Sequence, residues 1–163
     1  MVISEQEYLA TQYEHEPEWI DGEVVERSMP DWPHSKTQSD LASLIPRRHS
    51  GVSLWKGTEL RVKISGRHRV IDFCVFAGEE PKGRPPSGPP VIAVEILSPD
   101  DSMSKLIDKF QEYKSWGVKH VWLIDPDHKQ FYTFDGELRP VPVLSLPEYG
   151  ISITQHTLFS AGR

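Results

Sequence analysis

The sequence predicts an α/β chain of the α+β kind: a mixed central β-sheet flanked by helices, preceded by an N-terminal helix and a hairpin. Three observations predict it. Residues 70–76 (VIDFCVF) and 91–97 (VIAVEIL) are short, almost wholly apolar and rich in β-branched and aromatic side chains, as strands covered on both faces are. Between 102 and 116, Leu106, Phe110 and Tyr113, widened by Ile107, fall on one helical face. The span 91–124 then has the length of a right-handed β-helix-β crossover, which makes one strand pair parallel.

In chain order, Ser4 caps a short helix over 4–13, and Glu7 three residues on completes a capping box. Asp21-Gly22 turns a hairpin between Trp19-Ile20 and Val24-Val25. Two prolines make 29–35 a loop. A helix begins at His34 or Ser35 and runs through Leu41, Leu44 and Ile45 until Pro46 shortens or kinks it. His34 and Gln38 share a face of that helix. Residues 52–57 and 58–64 pair as two strands, and 65–69 turns into the 70–76 strand, giving an antiparallel meander. Five prolines make 78–90 an exposed loop. Asp100 or Asp101 caps the 102–116 helix and Gly117 ends it. Residues 118–125 form the next strand, and 129–136 alternates as a half-exposed antiparallel one. Prolines restrict the tail to one or two edge strands.

At 163 residues the chain is one domain by length, with a core of ordinary size. No run reaches the ~18–20 apolar residues of a membrane span. The N-terminus lacks a basic-then-apolar signal pattern. The single Cys74 excludes a disulfide framework within the chain and reads as a small buried residue. A cytoplasmic protein without membrane contact is the expectation. The net charge of −6 opposes non-specific nucleic-acid binding, so phosphate contacts need a local basic stretch. Arg47, Arg48, Lys56, Arg61, Lys63, Arg67 and Arg69 cluster on the meander. The last four are the candidates for nucleic-acid binding. The same charges serve equally well as solubilising groups on the outer face of an antiparallel sheet. Trp116 and Trp122 leave apolar surface for a second subunit, which makes a homodimer the expected assembly. No P-loop, zinc spacing or Gly-x-Ser-x-Gly elbow occurs.

Each apolar strand carries one acid, Asp72 and Glu95. An ionised carboxylate in such a run is costly unless it is paired or binds a cation. Two of them on one sheet point to a divalent-metal site of hard oxygen ligands. On the following helix Lys109 and Lys114 border the apolar arc from opposite sides, and the wheel does not choose between them.

Asp72 in RVIDFCVF, VEILSP at 94–99, DKFQEY at 108–113 and GVKHVWLIDP at 117–126 together resemble the Uma2 (DUF820) family of restriction-endonuclease-like proteins, in the PD-(D/E)XK nuclease superfamily. The likeness runs roughly from Tyr8 to Phe134. It departs at Ile71, where the superfamily has Pro, and at Leu97, where it has Lys. In this family the lysine moves to the next helix, which selects Lys109. The resemblance implies a restriction-endonuclease-like core and Mg²⁺ (or Mn²⁺) held by Asp72, Glu95 and the Ile96 carbonyl. Lys109 then acts on the phosphate, and the activity is hydrolysis of phosphodiester bonds in DNA. It also suggests accessory roles for Glu18, His34 and Gln38, against which stand a strand-end acid and a solvent-facing His. The alternative is a non-catalytic nucleic-acid- or protein-binding module that keeps the fold.

Overall fold

The computed structural model describes residues 1–160. Helix α1 (Glu5–Ala10) starts at Ser4, whose hydroxyl accepts from Glu7 N–H while the Glu7 carboxylate accepts from Ser4 N–H. Asp21 and Gly22, both left-handed, join β1 (Glu18–Ile20) to β2 (Glu23–Val25). Helix α2 (Trp32–Leu44) begins ahead of the expected His34 or Ser35. Asp31 caps it by accepting from His34 N–H, and Pro33 is harmless in a first turn whose N–H groups have no helical acceptor.

After β3 (Arg48–His49), the two strands expected over 52–64 are one, β4 (Val52–Ile64). It pairs antiparallel with β5 (Arg67–Ala77) through a turn of Ser65 and Gly66 alone, tighter than the expected 65–69. Glu59, with φ +49°, interrupts this ladder without changing its register. Thr58 opposes Phe73 and Leu60 opposes Ile71, while the Glu59–Asp72 pair between them is missing. Side-chain alternation slips at the same point: Phe73 and Val75 belong to one core, Ile71, Cys74 and Phe76 to the other.

Strand β6 (Ile92–Ile96) runs antiparallel to β5, and α3 (Met103–Trp116) crosses over to β7 (His120–Asp125), parallel to β6. Ser102 caps α3 in place of Asp100 or Asp101, because Asp101 accepts from Ser98 N–H instead. Gly117, at φ 114°, closes it as expected. Strands β8 (Gln130–Phe134) and β9 (Leu138–Val141) extend the sheet antiparallel to its edge. In place of a further edge strand, β10 (Val143–Leu146) and β11 (Ile151–Thr154) form a separate two-stranded sheet, followed by α4 (Gln155–Phe159).

On one sheet face Leu41 of α2 and Ile45 just past its end, with Leu144, Ile153 and Leu158, pack on Phe73, Val75, Val94 and Trp122. On the other, Leu106, Phe110 and Tyr113 of α3 pack on Cys74, Ala93, Val121 and Leu123. Each such fully buried large side chain contributes roughly 1.5–3 kcal/mol. Trp122 lies in the core beneath α2 and Trp116 packs half-buried against the core on the opposite sheet face, so neither offers the exposed face on which the expected homodimer rested. Among the described residues no helix is long and apolar enough to cross a membrane.

One edge of β5 is shared. β1 pairs with it at His68 and β6 only from Phe73 onward. Between the two, the N–H groups of Val70 and Asp72 face side chains instead of a strand.

Candidate active site

That gap is filled by carboxylates. Val70 N–H donates to Glu18 Oε2 at 2.9 Å and Asp72 N–H donates to Glu95 Oε2 at 3.1 Å. In return Ile96 N–H donates to Asp72 Oδ2 at 2.8 Å, which sets the Ile96 backbone against the acids. One turn and a half along α3, Lys109 reaches into the same gap. Its Nζ donates to Val70 O at 2.9 Å and to Glu95 Oε1 at 2.6 Å, and lies 2.9 Å from Glu18 Oε2. Tyr113, one turn later, donates its hydroxyl to Glu95 Oε2 at 3.2 Å. Lys114 points away, donating to Lys119 O, which resolves the choice the helical wheel left open.

Asp72 is held from a second side by α2 and the hairpin. Arg27 Nη2 lies 2.8 Å from Asp72 Oδ1 and 2.6 Å from Glu59 Oε2. His34 Nε2 is 3.3 Å from Asp72 Oδ2. Gln38 Nε2 donates to Asp72 O at 2.8 Å and to Glu59 Oε1 at 3.0 Å. His34, Glu59 and Asp72 each bring one donor atom within 4.8 Å of the others. The two carboxylate oxygens, with Glu95 adjoining, fit Mg²⁺ or Mn²⁺, while the imidazole nitrogen is a donor for Mn²⁺ rather than Mg²⁺.

The charges are strongly coupled. Burial pushes Glu95 up to about 7, helped by the neighbouring Asp72 charge and opposed by Lys109. Burial also acts to raise Asp72, but the hydrogen bond from His34 and the charges of Lys109 and Arg27 outweigh it and hold Asp72 below the usual carboxylate range. Glu18 is likewise held low, because Lys109 and Arg69 overcome its burial. Lys109 stays protonated: burial disfavours its charge, and Glu18, Glu95 and Asp72 more than restore it. His34 is raised, its desolvation offset by Asp72.

Asp72, Glu95, Lys109, Glu18, His34 and Gln38 are thus brought together, and all of them but Gln38 are buried. Arg27, Glu59 and Tyr113 were not foreseen. Tyr113 was visible only as part of the apolar face of α3, and nothing in the sequence marks Glu59 for left-handed backbone or Arg27 for a buried pair. The basic candidates sit otherwise. Arg61 pairs with Glu16, Lys63 with Glu5 at 2.6 Å, Arg67 with Asp21 at 2.6 Å, and Arg69 with Glu112 and Glu18. The cleft above the site, about 920 Å³, is lined by more carboxylates than basic groups.

No curated protein matches this chain. A crystal structure described as a putative nuclease belonging to DUF820, from Anabaena variabilis, is similar to it with a TM-score of 0.77 and 27% identity, over 95% of this chain and 96% of that one. The fold is therefore nuclease-like. The family model Uma2, described as "Putative restriction endonuclease", matches residues 5–154. That match spans Glu18, the shared edge of β5, the β6 acid and the α3 lysine, and the chain belongs to the Uma2 family.

Proposed function

We propose that this protein is a divalent-metal-dependent nuclease that hydrolyses phosphodiester bonds in DNA. The observation that carries the reading is the buried Lys109, held 2.6 Å from Glu95 directly beside Asp72. A lysine and three acids withdrawn from water at a sheet gap contribute little to stability that apolar residues would not supply better, which favours a chemical role.

Asp72, with Glu95 and the Ile96 carbonyl, would hold Mg²⁺ or Mn²⁺, and His34 and Glu59 offer further donors on the other side of Asp72. When bound, such a cation polarises a phosphate and lowers the pKa of a bound water. Lys109 keeps a positive charge aimed at the acids, where it can offset charge gathering on a phosphate in the transition state. Glu18 fixes that ammonium from behind, and Tyr113 orients the Glu95 carboxylate. Gln38 ties α2 to the backbone of Asp72 and so sets His34 against it. A homodimer would bring two such sites to a duplex, one for each strand.

The acidic lining of the cleft and the ion-paired state of Arg61, Lys63, Arg67 and Arg69 favour a second reading, a non-catalytic protein-binding module. One experiment separates the two. Purified protein is incubated with Mg²⁺ or Mn²⁺ and duplex, single-stranded and branched DNA and RNA, beside Glu95→Gln. Metal-dependent cleavage of DNA lost in the variant is the expected result. No cleavage of any substrate, together with retention of a specific protein partner, would replace the nuclease with the binding module.

A further inference from the structure

The cation between Asp72 and Glu59 is already present, and it belongs to the chain. Arg27 follows β2 on the segment leading to α2, and its side chain is only 9% exposed. Its Nη2 lies 2.6 Å from Glu59 Oε2 and 2.8 Å from Asp72 Oδ1. The third contact, Nη1 to Glu16 O, is longer at 3.3 Å.

We propose that Arg27 is a positioning residue whose guanidinium stands in for a metal ion between Asp72 and Glu59 and is displaced when one binds. This rests on the reading of the site as a metal centre. Buried carboxylates brought together need a counter-charge. Arg27 supplies it at the two acids that, with His34, bring donor atoms within 4.8 Å of one another. Oxygen ligands approach Mg²⁺ or Mn²⁺ at about 2.0–2.2 Å, through the same two oxygens that Nη2 now faces, donating to Asp72 Oδ1 and lying in ion-pair contact with Glu59 Oε2. The two cations therefore compete for the same oxygens. Lys109 does not compete in this way, because it approaches from α3 and is anchored on Val70 O, Glu95 and Glu18. Arg27 has somewhere to go, since it lines the open cleft beside Ser28. The acids are thereby held in place before metal arrives, at the expense of affinity for it.

The test is Mn²⁺ calorimetry on wild type, Arg27→Ala and Arg27→Lys, with melting curves of the metal-free proteins. Arg27→Ala should bind Mn²⁺ about tenfold more tightly or better, because a like charge beside the ion is gone, while its metal-free melting temperature falls. Arg27→Lys, which keeps the charge, should stay closer to wild type in affinity. Millimolar guanidinium chloride should raise the melting temperature of metal-free Arg27→Ala and weaken its Mn²⁺ binding competitively, with neither effect on wild type. A purely structural role for Arg27 would give the fall in stability without the gain in affinity. If Arg27→Ala does not fold, Arg27→Gln gives the same reading with a neutral side chain that leaves less of the space empty. Equal or weaker Mn²⁺ binding in the folded neutral variant, with binding still abolished by Asp72→Asn, overturns this inference and leaves the metal centre standing. Absence of Mn²⁺ binding by every form overturns both.

Discussion

Asp72 and Glu95 stand opposite one another on β5 and β6, and each carboxylate takes an N–H from the other's strand: Asp72 N–H to Glu95 Oε2 at 3.1 Å, Ile96 N–H to Asp72 Oδ2 at 2.8 Å. Side chains thus continue the ladder where the backbone pairing stops at Phe73–Val94. The arrangement forces two negative groups together. Burial, then the Asp72 charge, raises Glu95 from its ordinary value to about 7. A raised carboxylate favours the fold while it is protonated, below its unfolded value, and that contribution is lost as pH rises through about 7. Metal-free Glu95→Gln should therefore be more stable than wild type at pH near 8, by up to about 3 kcal/mol, and the advantage should shrink toward zero near pH 5. Calorimetric melting at the two pH values reads this directly. A gain that is larger in acid would reverse the assignment.

Lys109 opposes that rise in Glu95, so its removal has two readouts. In Lys109→Met, Glu95 should titrate still higher, and cleavage should fall by a factor on the order of 10². Lys114→Met is the control, since Lys114 donates to Lys119 O, away from the acids, and borders the other side of the same arc. It should keep its activity and change stability by less than about 0.5 kcal/mol. Equal losses in the two variants would trace the effect to the packing of α3.

What could be read from the chain follows from where water is excluded. Asp72 and Glu95 announce themselves because an acid in an apolar strand needs a reason, whereas the helix face leaves Lys109 level with Lys114 and only the family resemblance separates them. Arg27 and Glu59 do not, because nothing in their polar neighbourhoods marks them for the site. Glu59 reaches Gln38 and Arg27 through left-handed backbone in the middle of β4, which no glycine signals at that position. The tail shows the same limit. Pro142 ends β9, while Pro140 sits within it at the sheet's edge, but that β10 and β11 leave the main sheet is decided by Leu144, Leu146, Ile151 and Ile153 packing against α2 and its neighbours. Pattern gives such residues a side, and the rest of the fold decides which core receives it.

Glu18 titrates in the opposite sense to Glu95. Its burial is overcome by Lys109 and Arg69, so its folded value is depressed. The stability it brings is present above the ordinary carboxylate value and is lost as pH falls through the depressed one. Glu18→Gln leaves Lys109 and Arg69 short of a buried counter-charge and should cost about 3 kcal/mol at neutral pH. Denaturant titrations of variant and wild type should converge only well below the ordinary carboxylate range, as the wild-type carboxyl also becomes neutral. A gap that does not depend on pH would mean that shape rather than charge holds this position.

Phosphate contacts can be located by their salt dependence. Each phosphate that a basic side chain neutralises on duplex DNA steepens the fall of log K with log salt by about 0.9. Lys63 already faces Glu5 at 2.6 Å and Arg61 already faces Glu16, so a phosphate bound there would have to break an existing pair. Lys105 differs. It lies exposed in the first turn of α3, on the lining of the cleft that holds Asp72 and Glu95, and has no carboxylate partner among the described residues. With Ca²⁺ in place of Mg²⁺ or Mn²⁺ to keep the DNA intact, Lys105→Ala should weaken binding and reduce the salt slope by about 1. Arg61→Ala and Lys63→Ala should leave the slope where it is. Fluorescence anisotropy at several salt concentrations measures all three. A reduced slope in Lys63→Ala with none in Lys105→Ala would move the DNA from the cleft to the outer face of β4.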